Sequence, residues 1–130
     1  MLKCDIQTGN ITLISNTPQS FDLSNLRGSS GLIAYEDGYL TVTHQITVFN
    51  NRRYYFHRFM YFEIEDSQYR VRKLSHPFYF LEKDVEFCSG ITYTPSKSSV
   101  FLTIGLKDRE AYLFEVDIKD IKTMLTLTTC

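Results

Sequence analysis

The chain has 130 residues, of which 43% are hydrophobic and 22% charged, so it is too apolar to be disordered and fits one small domain or part of a larger one. Its 14 basic and 15 acidic residues give a net charge of -1. This balance excludes a general attraction of the whole surface to nucleic acid or anionic lipid, while leaving room for a local basic cluster.

Short apolar or alternating runs separated by turn residues predict strands along most of the chain. The predicted strands, in chain order, are 11–15, 32–35, 39–44 with a possible extension over 46–49, 54–65, 69–74, 85–91, 99–104 and 111–116. A polar loop is predicted over 16–25, where Pro18 interrupts the chain. Asp37 and Gly38 stand between two apolar runs and predict a hairpin.

Composition agrees with this pattern, because 10 Phe and 9 Tyr favour pleated, half-buried surfaces.

The C-terminal end of the chain differs from the rest in its hydrophobic pattern. Residues 117–125 place apolar side chains at helical spacing, with Asp117 or Asp120 available as the N-cap. We therefore expect an all-β domain with a short C-terminal helix.

Two stretches of the chain share one order of features. The first begins at Gly31 and the second at Gly90, 59 residues later, and each makes two hairpins before ending in an aromatic-Glu-aliphatic strand. Repeats of about 40–50 residues with four strands each are typical of β-propeller blades. The extended second hairpin near Asn50 accounts for the longer spacing.

The repeat predicts a partial β-propeller, with a partial blade and linker over 1–26 and two blades ending in a short helix over 27–130. A compact β-sandwich is the competing fold, since it also uses short strands and frequent turns. Two blades and part of a third cannot close a ring. We therefore expect the remaining blades in a longer form of the same chain or in a partner chain.

Seven polar residues near predicted strand ends and turns are candidates for a binding site: Arg27, Ser29, His44, Arg58, Glu86, Asp108 and Arg109. His44 ends an alternating strand, where an imidazole can bond a hydroxyl or phosphate, although a lone histidine at a strand end is more often structural. Glu86 lies between apolar residues, so its carboxylate must be paired or functional. Asp108 and Arg109 suit either a ligand contact or a solvated turn.

Known catalytic motifs are absent from the sequence. It contains no nucleophile elbow, Walker loop or HExxH, and Gly28 to Gly31 lacks the lysine of a P-loop. Cys4, Cys88 and Cys130 are widely spaced and form no CxxC, so we expect reduced thiols, no metal site and no cofactor. The lack of a signal peptide or an apolar run of about 18 residues predicts a cytoplasmic protein without a membrane or nucleic-acid partner.

Several segments, in the same order, resemble the C-terminal half of the mannoside-phosphorylase family of five-bladed propeller glycoside hydrolases and phosphorylases. They are residues 27–33 (Arg-Gly-Ser-Ser-Gly-Leu-Ile), 37–44 (Asp-Gly-Tyr-Leu-Thr-Val-Thr-His), 58–64, 73–77, 86–90 (Glu-Phe-Cys-Ser-Gly) and 103–108. The chain is also similar to propeller modules appended to glycosyltransferase-like proteins. The likeness covers about residues 25 to 125.

The resemblance implies that His44, Glu86 and Asp108 line a site for a glycan or sugar phosphate. It also implies that the chain is the C-terminal part of a longer glycan-active protein. The family's catalytic aspartate and its upstream phosphate ligands have no counterpart in the sequence, so the chain is not expected to be a complete glycoside phosphorylase, hydrolase or glycosyltransferase-associated enzyme by itself. The alternative is a protein-interaction propeller fragment without sugar chemistry.

Overall fold

The computed structural model describes residues 2–13, 22–66 and 68–126. Most of these residues lie in strands of antiparallel sheets, which confirms the all-β prediction. The strands are β1 (Leu2–Cys4), β2 (Ile11–Leu13), β3 (Arg27–Gly28), β4 (Ile33–Tyr35), β5 (Gly38–Phe49), β6 (Arg52–Glu65), β7 (Gln68–Leu74), β8 (Glu86–Tyr93), β9 (Ser99–Leu106) and β10 (Glu110–Asp117), and the helix is α1 (Ile118–Thr126).

The first sheet is a meander of β4, β5, β6 and β7, joined by tight hairpins. The predicted hairpin joins β4 to β5, with Glu36 and Asp37 between the strands and Gly38 as the first residue of β5. Asn50 and Asn51 join β5 to β6 with positive φ angles of 50° and 58°, which asparagine tolerates better than most residues. The short strand β3 pairs with β5 farther along the same edge as β4, placing Arg27 opposite His44.

The second sheet contains β8, β9 and β10 in the spatial order β10-β9-β8. A bulge interrupts β8 between Cys88 and Gly90. The β9–β10 turn has positive φ at both Lys107 and Asp108. These connections make a second meander whose three strands correspond to the second half of the sequence repeat.

One core joins the two sheets and the helix. Strand β8 contacts β4, β5 and β6 of the first sheet, and α1 contacts β6 and β7 on one side and β9 and β10 on the other. Alternation along the strands turns every second side chain toward this core. Its buried members are Tyr35, Leu40, Val42, Phe59, Tyr61, Cys88, Val100, Leu102, Ile104, Ile121 and Leu125.

The predicted C-terminal helix is confirmed and begins directly after Asp117. Its apolar positions Ile121 and Leu125 are buried in the core, as the helical spacing predicted. Among the described residues no helix is long and apolar enough to cross a membrane.

The N-terminal hairpin of β1 and β2 is a separate two-stranded sheet. Its described side chains, from Cys4 to Leu13, are all exposed and contribute nothing to the core. Residues 14 and 15 of the predicted first strand, and 16–21 of the predicted loop, lie outside the described residues. The short strands β1 and β3 were not predicted, because two or three residues are too few to show a period.

Candidate functional site

His44 lies in the middle of the long strand β5, which corrects the prediction that it ends a strand. The predicted extension of the strand over 46–49 is present, and it continues β5 to Phe49. The imidazole packs between two rings, stacked on Tyr55 at 5.5 Å and edge-on to Phe87 at 5.4 Å between ring centroids. Tyr55 belongs to β6 and Phe87 to β8, so this ring cluster joins the two sheets.

The His44 ring retains an unused polar atom. The residue is only 6% exposed, and its Nδ1 atom is buried without a hydrogen-bond partner among the described residues. Burial, and secondarily the positive charge of Arg27, lowers the pKa of His44 below its ordinary value. The imidazole is therefore neutral at pH 7, and its unpartnered Nδ1 atom is closed to solvent by the surrounding side chains.

Arg27 and Phe87 supply the accessible part of this cluster. Arg27 is exposed on β3, and its guanidinium donates to the backbone carbonyls of Ser24 and Leu26. Phe87 is 41% exposed although it contacts the buried His44 ring. Because both residues neighbour His44, the cluster offers the apolar face of an aromatic ring and the hydrogen-bond donors of a guanidinium.

Ser29 contributes to the junction between the sheets rather than to an open surface. Its hydroxyl is half-buried and donates to the backbone carbonyl of Cys88 in β8. This bond fixes the segment after β3 against the second sheet, beside Phe87. Ser29 therefore positions the wall of the ring cluster.

Glu86 is fully buried, and backbone amides occupy its carboxylate. Oε2 accepts from the amide of Phe80 at 2.8 Å, and Oε1 accepts from the amides of Leu81 at 2.7 Å and Glu82 at 2.9 Å. Three donors on one carboxylate satisfy the requirement that a buried charge be hydrogen-bonded. Glu86 holds the segment between β7 and β8 in place and has no surface to offer a sugar.

His57 packs beside Glu86, with its Nε2 atom 3.6 Å from Oε2, and both side chains are fully buried. Burial, and then the neighbouring His44, lowers the pKa of His57 to about 4. The ring is therefore neutral at pH 7, and the contact is not an ion pair. At 3.6 Å it is also too long for a hydrogen bond, and neither ring nitrogen has a partner among the described residues.

Arg58 points away from this cluster, because neighbouring residues of a strand face opposite sides of the sheet. Its Nη1 donates to the carbonyl of Ser75 at 2.7 Å, and its Nε donates to Gln45. The guanidinium therefore braces the other face of the first sheet. The prediction that grouped Arg58 with His44 around one site is not supported by this placement.

Asp108 and Arg109 lie in the exposed β9–β10 turn. The pairing of Leu106 with Glu86 puts this turn at the end of the second sheet where β8 begins. No contact between described residues joins either side chain to His44. The neighbouring Lys107 does form ion pairs, at 2.6 Å with Glu82 and 3.6 Å with Asp84.

The structure thus brings Arg27, Ser29 and His44 together, and it adds two rings that the sequence reasoning missed. Tyr55 was discoverable, since it lies two residues before His57 and shares its face. Phe87 was not, because its contact with His44 joins two separate hairpins. We call Arg27, His44, Tyr55 and Phe87 the ring patch.

Metal chemistry has no support in the described part of the chain, where no three His, Cys, Asp or Glu side chains form a group able to hold an ion. In comparisons with known proteins, no family model, no curated protein and no solved structure matches the chain.

Proposed function

We propose that this chain is a carbohydrate-binding module built as part of a β-propeller. The observation that carries the fold is a pair of hydrogen bonds between the sheets. The Tyr93 hydroxyl donates to the carbonyl of Ala34 at 2.8 Å, and the Ser29 hydroxyl donates to that of Cys88, with both pairs separated by 59 residues. That separation equals the spacing between Gly31 and Gly90 that begins the sequence repeat.

Equivalent positions of the two repeats are therefore neighbours in space. The order of the two contacts along the chain also means that β4 and β8 run in the same direction. First strands of consecutive blades meet this way around a propeller axis. A sandwich imposes no such relation between repeats, so the pairing favours the propeller.

Helix α1 fits the same arrangement. Blades of a propeller diverge from the axis outward, which leaves a wedge between their outer strands. The helix contacts β6 and β7 of one sheet and β9 and β10 of the other, so it fills such a wedge. Because two blades cannot close a ring, we propose that further blades come from the same chain or from a partner.

The ring patch supports sugar binding. A pyranose presents an apolar face and a rim of hydroxyls, and the patch presents the exposed ring of Phe87, which contacts His44, together with the exposed Arg27, which is the strand partner of His44. His44 lies beneath this surface with its Nδ1 atom buried, and it supports the Phe87 ring by edge-on packing. A phosphate on the sugar would add a charged partner for the guanidinium. Asp108 and Arg109 extend the proposed site toward the β9–β10 turn.

Calorimetry with methyl α-mannoside and mannose 1-phosphate tests the proposal on the full chain. We expect both probes to bind, and Phe87→Ala to weaken both by about tenfold or more through the lost ring contact. Arg27→Ala should weaken mannose 1-phosphate more than the uncharged mannoside. Leu113→Ala, which removes an exposed apolar side chain from β10, is the matched control. Absence of binding by either probe at millimolar concentration would overturn the sugar function.

One observation favours a protein-interaction module instead. Among the described strands, β10 pairs only with β9, so its outer edge offers backbone groups to an added strand, and Leu113 is exposed there. A protein recovered on the wild-type chain and lost with Leu113→Lys, together with failure of both sugar probes, would establish this function.

A further inference from the structure

The β5–β6 hairpin extends beyond the body of the first sheet. Pairing with β3 ends at His44, and pairing with β7 begins at Met60. The residues from Ile46 to Arg53, which we call the hairpin tip, pair within the described sheet only with residues of the same hairpin, including Tyr54 and Tyr55. All eight of them are exposed, so the tip stands free of the core.

Large apolar side chains remain uncovered on both faces of the hairpin tip. Val48 is 65% exposed and Phe49 is 64% exposed. Adjacent residues of a strand face opposite sides, so these two side chains project in opposite directions. Such exposure does not contribute to the core and indicates an interaction surface.

Each apolar side chain has an arginine as its cross-strand partner. Val48 is opposite Arg53, and Phe49 is opposite Arg52. Lys83 lies beside the hairpin, with its ammonium 5.3 Å from the Tyr54 ring centroid. Among the described residues, no acidic side chain forms an ion pair with any of these three cations.

Acidic residues near this end of the sheet already have a cationic partner. The backbone carbonyl of Asp84 accepts from the Tyr55 amide, which places Asp84 beside β6. The carboxylates of Asp84 and Glu82 both pair with Lys107. The segment 45–56 itself contains no Asp or Glu. The hairpin tip is therefore a local basic cluster, which the even net charge of the whole chain conceals.

We propose that the hairpin tip docks into the surface of an anionic lipid bilayer. A flat protein surface would cover one face of the tip, whereas the bilayer interface can surround both Val48 and Phe49 at once. Arginines beside inserted apolar side chains lie at the depth of the headgroups, where they attract anionic lipid. This inference is independent of the sugar site and revises the expectation, drawn from the net charge, that no membrane partner exists.

The absence of tryptophan from the sequence allows a direct measurement with one introduced reporter. Phe49→Trp in the full chain should shift its fluorescence to the blue on vesicles containing about 30% phosphatidylserine in phosphatidylcholine, at about 0.1 M salt. Brominated lipid should quench that emission. Leu113→Trp, at an equally exposed position on β10, should show neither effect. An unchanged emission spectrum of the Phe49→Trp variant on these vesicles would overturn the proposal.

Charge and apolar variants test both parts of the contact by vesicle co-sedimentation. We expect Arg52→Glu/Arg53→Glu and Val48→Asp/Phe49→Asp each to weaken binding by about tenfold or more. Lys97→Glu/Lys119→Glu, which changes the net charge as much as the double arginine variant does, at exposed positions, should bind nearly as the wild type. Equal loss in that control, or loss in only one of the two tip variants, would contradict insertion of the tip. Recovery of an acidic protein by the tip without vesicle binding would also overturn it.

Discussion

The ring of His57 and the carboxylate of Glu86 lie side by side in the fully buried interior, 3.6 Å apart, without a hydrogen bond between them. Backbone amides of three consecutive residues satisfy the carboxylate. The imidazole packs among aromatic rings, including that of Phe80 at 4.9 Å between centroids. The pair therefore contributes to stability through separate interactions, and the two can be tested independently.

His57 should make the protein less stable in mild acid. Its pKa is lowered from 6.5 to about 4 in the folded chain, so the unfolded chain takes up a proton at a higher pH than the folded chain does. The resulting stability is complete above pH 6.5 and is lost as the pH falls toward 4, by about 3 kcal/mol at pH 4. Urea unfolding at about pH 7, 5.5 and 4.5 measures this loss.

The matched variant for this prediction is His57→Gln, which retains polar atoms but does not titrate in that range. Carboxylates also titrate there, so the informative quantity is the difference between the two proteins. We expect the free energy of unfolding of the variant to fall less steeply with acid. Parallel pH profiles would show that His57 does not gain a proton on unfolding.

Replacing the Glu86 carboxylate should loosen the segment between β7 and β8. Glu86→Gln places an amide NH₂ group where one of the oxygens accepts backbone hydrogen bonds, and it removes the charge that strengthens the remaining ones. We expect a loss of about 2–3 kcal/mol in the free energy of unfolding. Glu82→Gln, which affects an exposed ion pair with Lys107, should cost less than about 1 kcal/mol. Equal losses would argue against the buried anchor.

The β4–β5 turn should not accept a side chain at Gly38. A Cβ atom there would lie 2.2 Å from the Phe62 carbonyl oxygen, a contact that only a backbone shift relieves. We expect Gly38→Ala to destabilise the protein by about 2–4 kcal/mol. At Gly31 a Cβ atom has nothing within 4 Å, so Gly31→Ala should be close to neutral in the same denaturation assay. A mild Gly38→Ala variant would contradict the pairing of β5 with β6 in this register.

Cys88 should be an unreactive thiol in the folded protein. Burial raises its pKa to about 11, and the side chain is inaccessible. In the variant Cys4→Ser/Cys130→Ser, we expect a colorimetric thiol reagent to modify Cys88 slowly in buffer and rapidly in urea. In Cys88→Ser/Cys130→Ser, the exposed Cys4 should react at once. Rapid labelling of Cys88 without urea would indicate that the two sheets separate readily.

Local pattern was sufficient to predict most of the strands. Alternation correctly placed Leu40 and Val42 on one face of β5, and the Asp37-Gly38 signal correctly placed a hairpin. Contacts between different hairpins could not be predicted from local pattern, because they depend on how the sheets pack. The anchoring of Glu86 by the segment after Phe78 is of that kind. The sequence predicted that the Glu86 carboxylate must be paired or functional. In the structure it is paired, because three backbone amides donate to it.

The candidate site was predicted in part for the same reason. Arg27 and His44 meet because β3 pairs with β5, although a two-residue strand leaves no periodic signal. Arg58 was grouped with His44 as a candidate, whereas the pleat of β6 sends its side chain to the other face of the sheet, where it bonds the Ser75 carbonyl. Tyr55 shares a face of β6 with His57 and could have been found from strand alternation, whereas Phe87 emerged only once the position of β8 was known.

The most direct test of the sugar-binding account is a map of amide and aromatic chemical-shift changes as mannose 1-phosphate is titrated into the labelled full chain. The account predicts saturable changes that cluster at Arg27, His44, Tyr55 and Phe87 and leave helix α1 unaffected. Saturable changes confined to α1 or to the hairpin tip, or no change at millimolar ligand, would contradict it.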